Sequence, residues 1–98
     1  MAVEPATLTV TVRLPSQLYD KAGGRRAITV PAGTARDVIA ALEAAAPGMR
    51  FHLCEETGEL RSFVNIFLNG VNIRNLEGLD TPIPAGAAVA IFPSVAGG

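Results

Sequence analysis

The sequence is poor in the residues on which several classes of protein depend. It has one cysteine in 98 residues, which excludes an internal disulfide framework and fits a reducing cytoplasm. Eight basic residues face nine acidic ones, for a net charge of −1, whereas a nucleic-acid-binding domain carries a basic surplus. No run approaches the ~18 apolar residues of a membrane helix, and we find no signal-peptide pattern. The expected partners are therefore proteins or small molecules, with no nucleic acid and no membrane.

The sequence does contain enough apolar material for one core. Hydrophobic residues make up 49% of the chain, so disorder is not expected. A chain of this length suits one domain. We therefore interpret residues 1–98 as a single domain in which residues 93–98 form an exposed C-terminal tail.

Several segments alternate apolar and polar residues, as half-buried strands do. Residues 7–14 alternate without a break, so that every second residue from Leu8 to Leu14 shares one face. Similar patterns predict strands over 26–30, 63–69 and 87–92, with a short return strand within 72–79. Asn69-Gly70 is a strong hairpin-turn signal.

One amphipathic helix is predicted after the second strand. Thr34 and Asp37 have the spacing of a capping box, and Pro47-Gly48 ends the helix. Residues 49–62 are interpreted as a longer polar connector. One helix on one face of one mixed sheet of about four to five strands is an α+β fold with the β-grasp arrangement. The apolar positions with helical spacing are Ala35, Val38, Ile39, Leu42 and Ala46.

Side chains with catalytic potential are few. His52 and Cys54 are two positions apart and would lie on the same side of an extended segment. A zinc site needs three or four convergent ligands, and the sequence has no second histidine or cysteine. We interpret the pair as a connector histidine and a buried or half-buried thiol, and we expect no metal site and no enzyme active site.

The chain ends in two glycines, Gly97 and Gly98. At the usual glycine frequency, chance gives such a pair in roughly one chain in 200. The alternatives are a frayed terminus, which tolerates any residue, and a cloning remnant. A functional reason also exists, because glycine has no Cβ and lets the backbone approach closely. A terminal carboxylate on two glycines would reach the α-phosphate of ATP in an activating enzyme without a side-chain clash.

Two segments resemble the MoaD/ThiS family of ubiquitin-like sulfur carriers. They are the tail Phe92-Pro93-Ser94-Val95-Ala96-Gly97-Gly98 and the segment Phe63-Val64-Asn65-Ile66-Phe67-Leu68-Asn69-Gly70. Residues 60–66, after an extended connector, are most similar to the CysO-type carriers of cysteine biosynthesis.

The resemblance implies a role for the tail. An E1-like adenylating and sulfurtransferase enzyme would adenylate Gly98 with ATP and Mg, and sulfur would then replace the adenylate to form a thiocarboxylate. Gly97, Ala96 and Val95 would thread into the partner enzyme. The chain itself would bind no cofactor and would be a partner of enzymes rather than an enzyme.

The resemblance leaves the sulfur acceptor open. A PLP-dependent cysteine synthase is favoured. The alternatives are a molybdopterin synthase large subunit, with this chain as the small subunit, and a thiosugar- or thiazole-type synthase. A different class of function is a ubiquitin-like modifier joined to lysines, or a plain interaction module.

The strand alternation also predicts a docking surface. With Val64 inward, Phe63 and Phe67 face the other side of the sheet, and Phe92 points outward from the last strand. Exposed aromatic patches often mark partner surfaces, so these three rings are the predicted partner interface. The alternative is that residues 15–24 or 50–61 cover them.

Overall fold

The computed structural model describes residues 8–93, and within that range the chain forms two α-helices and seven strands. The helices are α1 Ala35–Ala45 and α2 Met49–Leu53. The strands are β1 Thr9–Arg13, β2 Ala27–Pro31, β3 Gly33–Thr34, β4 Val64–Leu68, β5 Val71–Asn72, β6 Pro82–Ile83 and β7 Ala88–Pro93. Connections in the same range include 3-10 turns at Ser16–Leu18, Asp20–Ala22, Ile73–Asn75 and Gly78–Asp80. No helix of residues 8–93 has both the length and the apolar character that crossing a bilayer requires.

Five of the described strands form the main sheet, in the order β2-β1-β7-β4-β5. β1 and β7 run parallel, and the other neighbours in this sheet run antiparallel. β3 and β6 pair separately, with Gly33 opposite Ile83. The last strand of the chain therefore lies in the middle of the main sheet, between β1 and β4.

Helix α1 packs in the core against one face of the main sheet, which we call the inner face. The predicted capping box is present: the Thr34 hydroxyl accepts the Asp37 N–H at 3.2 Å, and the Asp37 carboxylate accepts the Thr34 N–H at 3.0 Å. All five residues of the predicted apolar stripe are buried. These features confirm the predicted β-grasp fold with one main helix. The strand residues of the core include Val10, Val12, Ile28, Val30, Val64, Ile66, Val89 and Ile91.

The hairpin signal is also confirmed. Asn69 and Gly70 have φ angles of 50° and 86°, so both occupy the left-handed region that tight hairpin turns demand. The turn joins β4 to β5. Asn69 also joins the turn to β7, because its backbone N–H donates to the Ala88 carbonyl and its side-chain oxygen accepts the Ala88 N–H.

Two sequence-based expectations are wrong. Residues 49–62 are not simply a polar connector, because they contain α2, whose end residues Met49 and Leu53 are fully buried. A helix of five residues is too short for its periodicity to be recognised. Leu8 was expected on the buried face of the first strand, but β1 begins at Thr9 and Leu8 is 65% exposed.

Candidate functional site

The strand that leads into the C-terminal residues is held on both sides. β1 pairs with the first half of β7, with Val12 opposite Val89. β4 pairs with nearly all of β7 and places Val64 opposite Pro93. Pro93 was expected to begin the tail, but it is half-buried and is the last residue of β7. The position of Pro93, the last described residue, is therefore set by the register of β4 and β7.

The residues predicted to carry or thread the reacting carboxylate lie outside the described range. These are Gly98, Gly97, Ala96 and Val95. Their roles remain predictions from the sequence.

Two of the three predicted interface rings meet on the face of the main sheet opposite α1, which we call the outer face. The rings of Phe67 and Phe92 make an edge-to-face contact with centroids 5.9 Å apart. With Ala88, Ala90 and Arg13 they line a shallow hollow of about 260 Å³. Within the described chain, neither residues 15–24 nor residues 50–61 contribute to its lining. Phe92 is 51% exposed, so the described segments leave this surface open.

Phe63 does not join this surface, which corrects its predicted placement. β4 begins at Val64, so Phe63 lies in the turn before the strand rather than in the alternating pattern. Its ring is 52% exposed and lines a different hollow of about 480 Å³, together with Phe51, Ile91 and Pro93. A role for Phe63 in partner binding remains a prediction, but it would act on a separate surface.

Arg74 is a positioning residue that the sequence analysis missed. Its guanidinium donates to the backbone carbonyls of Arg61 at 2.8 Å and Val64 at 2.6 Å, and to the Asn65 side-chain oxygen at 3.4 Å. Asn72 donates to the same Asn65 oxygen at 3.1 Å. These bonds hold the start of β4, the segment whose register positions the end of β7. No local signal marks Arg74, because its partners are 9 to 13 positions away in the chain.

The structure places the histidine and the cysteine of the sequence analysis in different surroundings. Burial raises the pKa of the Cys54 thiol, so the neutral thiol is favoured over the nucleophilic thiolate. The His52 ring packs edge-on against Phe51, with centroids 5.4 Å apart. Among residues 8–93, no group of three or more histidine, cysteine, aspartate or glutamate residues is arranged to hold a metal ion.

The sequence of the chain is similar to those of small carrier and modifier proteins. The model of the ThiS family matches residues 12–98. The "Sulfur carrier protein CysO" of Mycobacterium tuberculosis H37Rv is 38% identical over 93 residues, which cover 93% of this chain and 100% of the relative. "Small archaeal modifier protein 3" of Haloferax volcanii is 42% identical over 65 residues, covering 66% of this chain and 70% of the relative.

Solved structures agree with these relatives. The crystal structure of Mycobacterium tuberculosis CysO superposes with a TM-score of 0.83 at 36% identity, covering 88% of this chain and 99% of that one. A chain of the Amycolatopsis orientalis BexX/CysO complex superposes with a TM-score of 0.84 at 30% identity, covering 91% of this chain and 99% of that one.

Proposed function

Because the chain belongs to the ThiS family, we propose that it is a sulfur carrier whose working group is the C-terminal carboxylate of Gly98. The observation that carries the proposal is the family match, which extends through both terminal glycines. The near full-length similarity to a protein named as a sulfur carrier supports it. In this role the chain is a partner of enzymes, and its own side chains perform no catalysis.

The proposed chemistry begins with activation by an E1-like enzyme that binds ATP and Mg. A carboxylate oxygen of Gly98 attacks the α-phosphorus of ATP and pyrophosphate leaves, which gives an acyl adenylate. Sulfide supplied to the enzyme then attacks the carbonyl carbon and AMP leaves. The product is a C-terminal thiocarboxylate, whose sulfur is a strong nucleophile toward an electrophilic carbon on an acceptor.

The fold supports this chemistry by presenting the end of the chain from a rigid base. β7 is central in the main sheet, and its pairing with β4 runs to Pro93. Gly97 and Gly98 have no Cβ, so an enzyme can close around their backbone. The half-buried ring of Phe67 on β4 and the exposed ring of Phe92 on β7 lie next to each other on the outer face, and we propose that they dock the partner enzyme.

We propose cysteine biosynthesis as the favoured destination of the sulfur, with a PLP-dependent cysteine synthase as acceptor. The support is the similarity to proteins named CysO. That a CysO also occurs in a complex with BexX supports a physical complex between a carrier of this kind and a protein partner.

Intact-mass spectrometry tests the carrier function. The full chain is incubated with the E1-like enzyme of the same genome, ATP, Mg and a sulfur donor. The mass should rise by the difference between one sulfur and one oxygen atom. Removing Gly98 should abolish this gain and leave the circular dichroism spectrum unchanged. An unchanged mass with an enzyme that sulfurates another carrier would refute the proposal.

A ubiquitin-like modifier is the second candidate, because one relative is named a small archaeal modifier protein. Both functions need an activated terminal carboxylate, but a modifier ends in an amide bond to lysine. An antibody against the chain should therefore show one band for a carrier and a ladder of larger proteins for a modifier. Treatment with an alkylating reagent specific for thiocarboxylates would label only the carrier form.

A further inference from the structure

The described chain has a second surface beside Pro93, on the other side of β7 from the outer face. It is a hollow of about 480 Å³, within the size range of recognised binding pockets. Its lining combines Phe51 and Phe63 with Ile91 and Pro93 of β7 and with the basic side chains of Lys21 and Arg61. We call this the basic hollow.

The lining of the basic hollow combines apolar and aromatic side chains with two basic ones. Phe51 is 69% exposed and Phe63 is 52% exposed, which is unusual for two aromatic rings at one site. Among the described residues that line it, Lys21 and Arg61 are basic and no carboxylate is present. Arg61 is paired with Glu55, which lies outside the lining, at 3.5 Å, so Lys21 supplies most of the positive charge of the hollow. The chemistry that complements such a site is an apolar side chain flanked by carboxylates.

The basic hollow is also built to keep its shape. The Arg61 guanidinium lies 5.2 Å from the centroid of the Phe51 ring and donates to the Phe51 carbonyl at 2.9 Å. Glu55 pairs with Arg61 at 3.5 Å. These contacts tie α2 to the segment before β4, so the exposed ring of Phe51 is held in place rather than left free to collapse onto the surface.

The position of the basic hollow selects the kind of partner. Pro93 is part of its wall, and residues 94–98 can span at most about 17 Å when fully extended. An enzyme that holds the Gly98 carboxylate in its active site must therefore present protein surface close to the hollow. Alternation along β7 turns Ile91 toward this side and Phe92 toward the outer face, so a partner that grips the tail meets both surfaces.

We propose that the basic hollow is a docking site for the activating enzyme, which inserts an apolar side chain flanked by carboxylates. The proposal rests on the proposed function, since it requires an enzyme that receives the tail. It does not depend on the sulfur acceptor, because carrier and modifier alike must first be activated. The outer face and the basic hollow would then hold the carrier from both sides of β7.

Two variants of the full-length chain test the proposal, one through apolar contact and the other through charge. Phe51→Ala removes an exposed ring, and Lys21→Glu reverses a rim charge. Matched controls away from the hollow are Leu76→Ala, at another exposed apolar residue, and Arg36→Glu, in an exposed ion pair with Asp80. Thermal unfolding of each variant checks that the fold is kept, and Lys21→Glu remains informative if Phe51→Ala proves unstable.

The first readout is the Kd of the fluorescently labelled chain for the E1-like enzyme without ATP. Both hollow variants should raise the Kd about tenfold, as expected for the minority of interface residues whose truncation weakens binding clearly, and the controls less than twofold. The wild-type Kd should also rise with salt, and Lys21→Glu should flatten that dependence, because exposed charges are screened. Hollow variants that bind like the controls would overturn the proposal.

The second readout separates this inference from the carrier function. In the mass assay with saturating enzyme, Phe51→Ala and Lys21→Glu should still gain sulfur, since the Gly98 carboxylate is intact. A wild-type chain that binds but never gains sulfur would refute the carrier function alone. A wild-type chain that gains sulfur while the hollow variants keep wild-type Kd values would refute the docking site alone.

Discussion

Both faces of the main sheet carry apolar side chains, but the two sets differ in their exposure to water. Ile91, on the inner face, is 2% exposed within the core that includes α1. Phe92, the next residue of β7, is 51% exposed on the outer face. Successive side chains of a strand point to opposite faces, so one step along the backbone separates a core residue from a surface ring. We infer that the inner face supplies stability and that the outer face is available for binding.

The largest expected effect is on the inner face. Ile91→Ala should lower the free energy of unfolding by about 2–5 kcal/mol, because it removes buried methyl groups and leaves a cavity in a packed core. Urea denaturation followed by circular dichroism measures this loss. Ile91→Val is the matched control and should cost only about 0.5–1.5 kcal/mol. A loss below 1 kcal/mol for Ile91→Ala would break the comparison, since the inner face would not be the stabilising one.

The capping box that starts α1 should have the next largest effect. Thr34→Ala removes the hydroxyl that accepts the Asp37 N–H and should cost about 1 kcal/mol of stability. Thr29→Ala on the outer face is the control: its hydroxyl meets that of Thr11 at 3.1 Å in an exposed position, and its loss should cost about 0.5 kcal/mol or less. If Thr34→Ala and Thr29→Ala lowered the free energy of unfolding equally, the proposed difference between the inner and outer sides of the sheet would be contradicted.

A smaller effect on stability is expected for the outer-face rings. Phe92→Ala should cost about 0.5–1 kcal/mol, mainly the edge-to-face contact with Phe67. A double-mutant cycle with Phe67→Ala isolates that coupling in urea denaturation. In free energy, the same variants should weaken binding to the partner enzyme by more than they lower the stability of the fold. If Phe92→Ala destabilised the chain as much as Ile91→Ala, the outer face would be part of the core.

The smallest effect is expected from acid on the helical layer. The Glu43 carboxylate of α1 accepts the backbone N–H of Arg50 at 2.8 Å and of Gly48 at 3.1 Å, and these bonds lower its pKa. Because the pKa of Glu43 is lower in the folded state, its ionised carboxylate stabilises the fold fully above the unfolded-state pKa of about 4.3. This stabilisation is lost as pH falls through the folded-state pKa. Glu43→Gln should therefore flatten the loss of stability below about pH 4.3 in urea titrations.

The outer face provides the control for this acid effect. Within the described chain, no carboxylate lines the hollow of Phe67 and Phe92. The coupling between the two rings should therefore be the same at acidic and neutral pH. A coupling that changed with pH would show that the two faces are not independent.

Features decided by neighbouring residues could be predicted from the sequence. The alternation of β1 and β7, the capping box of Thr34 and Asp37 and the turn at Asn69-Gly70 each depend on contacts within a few positions. They were sufficient for the β-grasp arrangement, because one helix and one sheet with one apolar face each have few ways to pack. The fold and the placement of Phe67 and Phe92 on the outer face follow from the same reasoning.

The candidate site was only partly predictable. Phe63 was assigned to the outer face because the strand was predicted to begin one residue early; β4 begins at Val64, so Phe63 lies in the preceding turn, where the alternation of a strand does not apply. The basic hollow could not be predicted, because Lys21, Phe51 and Pro93 come from three distant segments. Arg74 was missed for the same reason, since its role consists of long-range bonds to backbone carbonyls.

The sequence by itself determined the alternation of the strands, the start of α1 and the two glycines at the end of the chain. Those properties depend on side-chain period, on capping chemistry and on residue identity, which are local. Only the tertiary structure decided that the last strand lies between β1 and β4 and that separate segments close a basic hollow beside Pro93. The physical reason is that strand pairing and the packing of α2 bring together residues far apart in the chain, and no local pattern encodes that proximity.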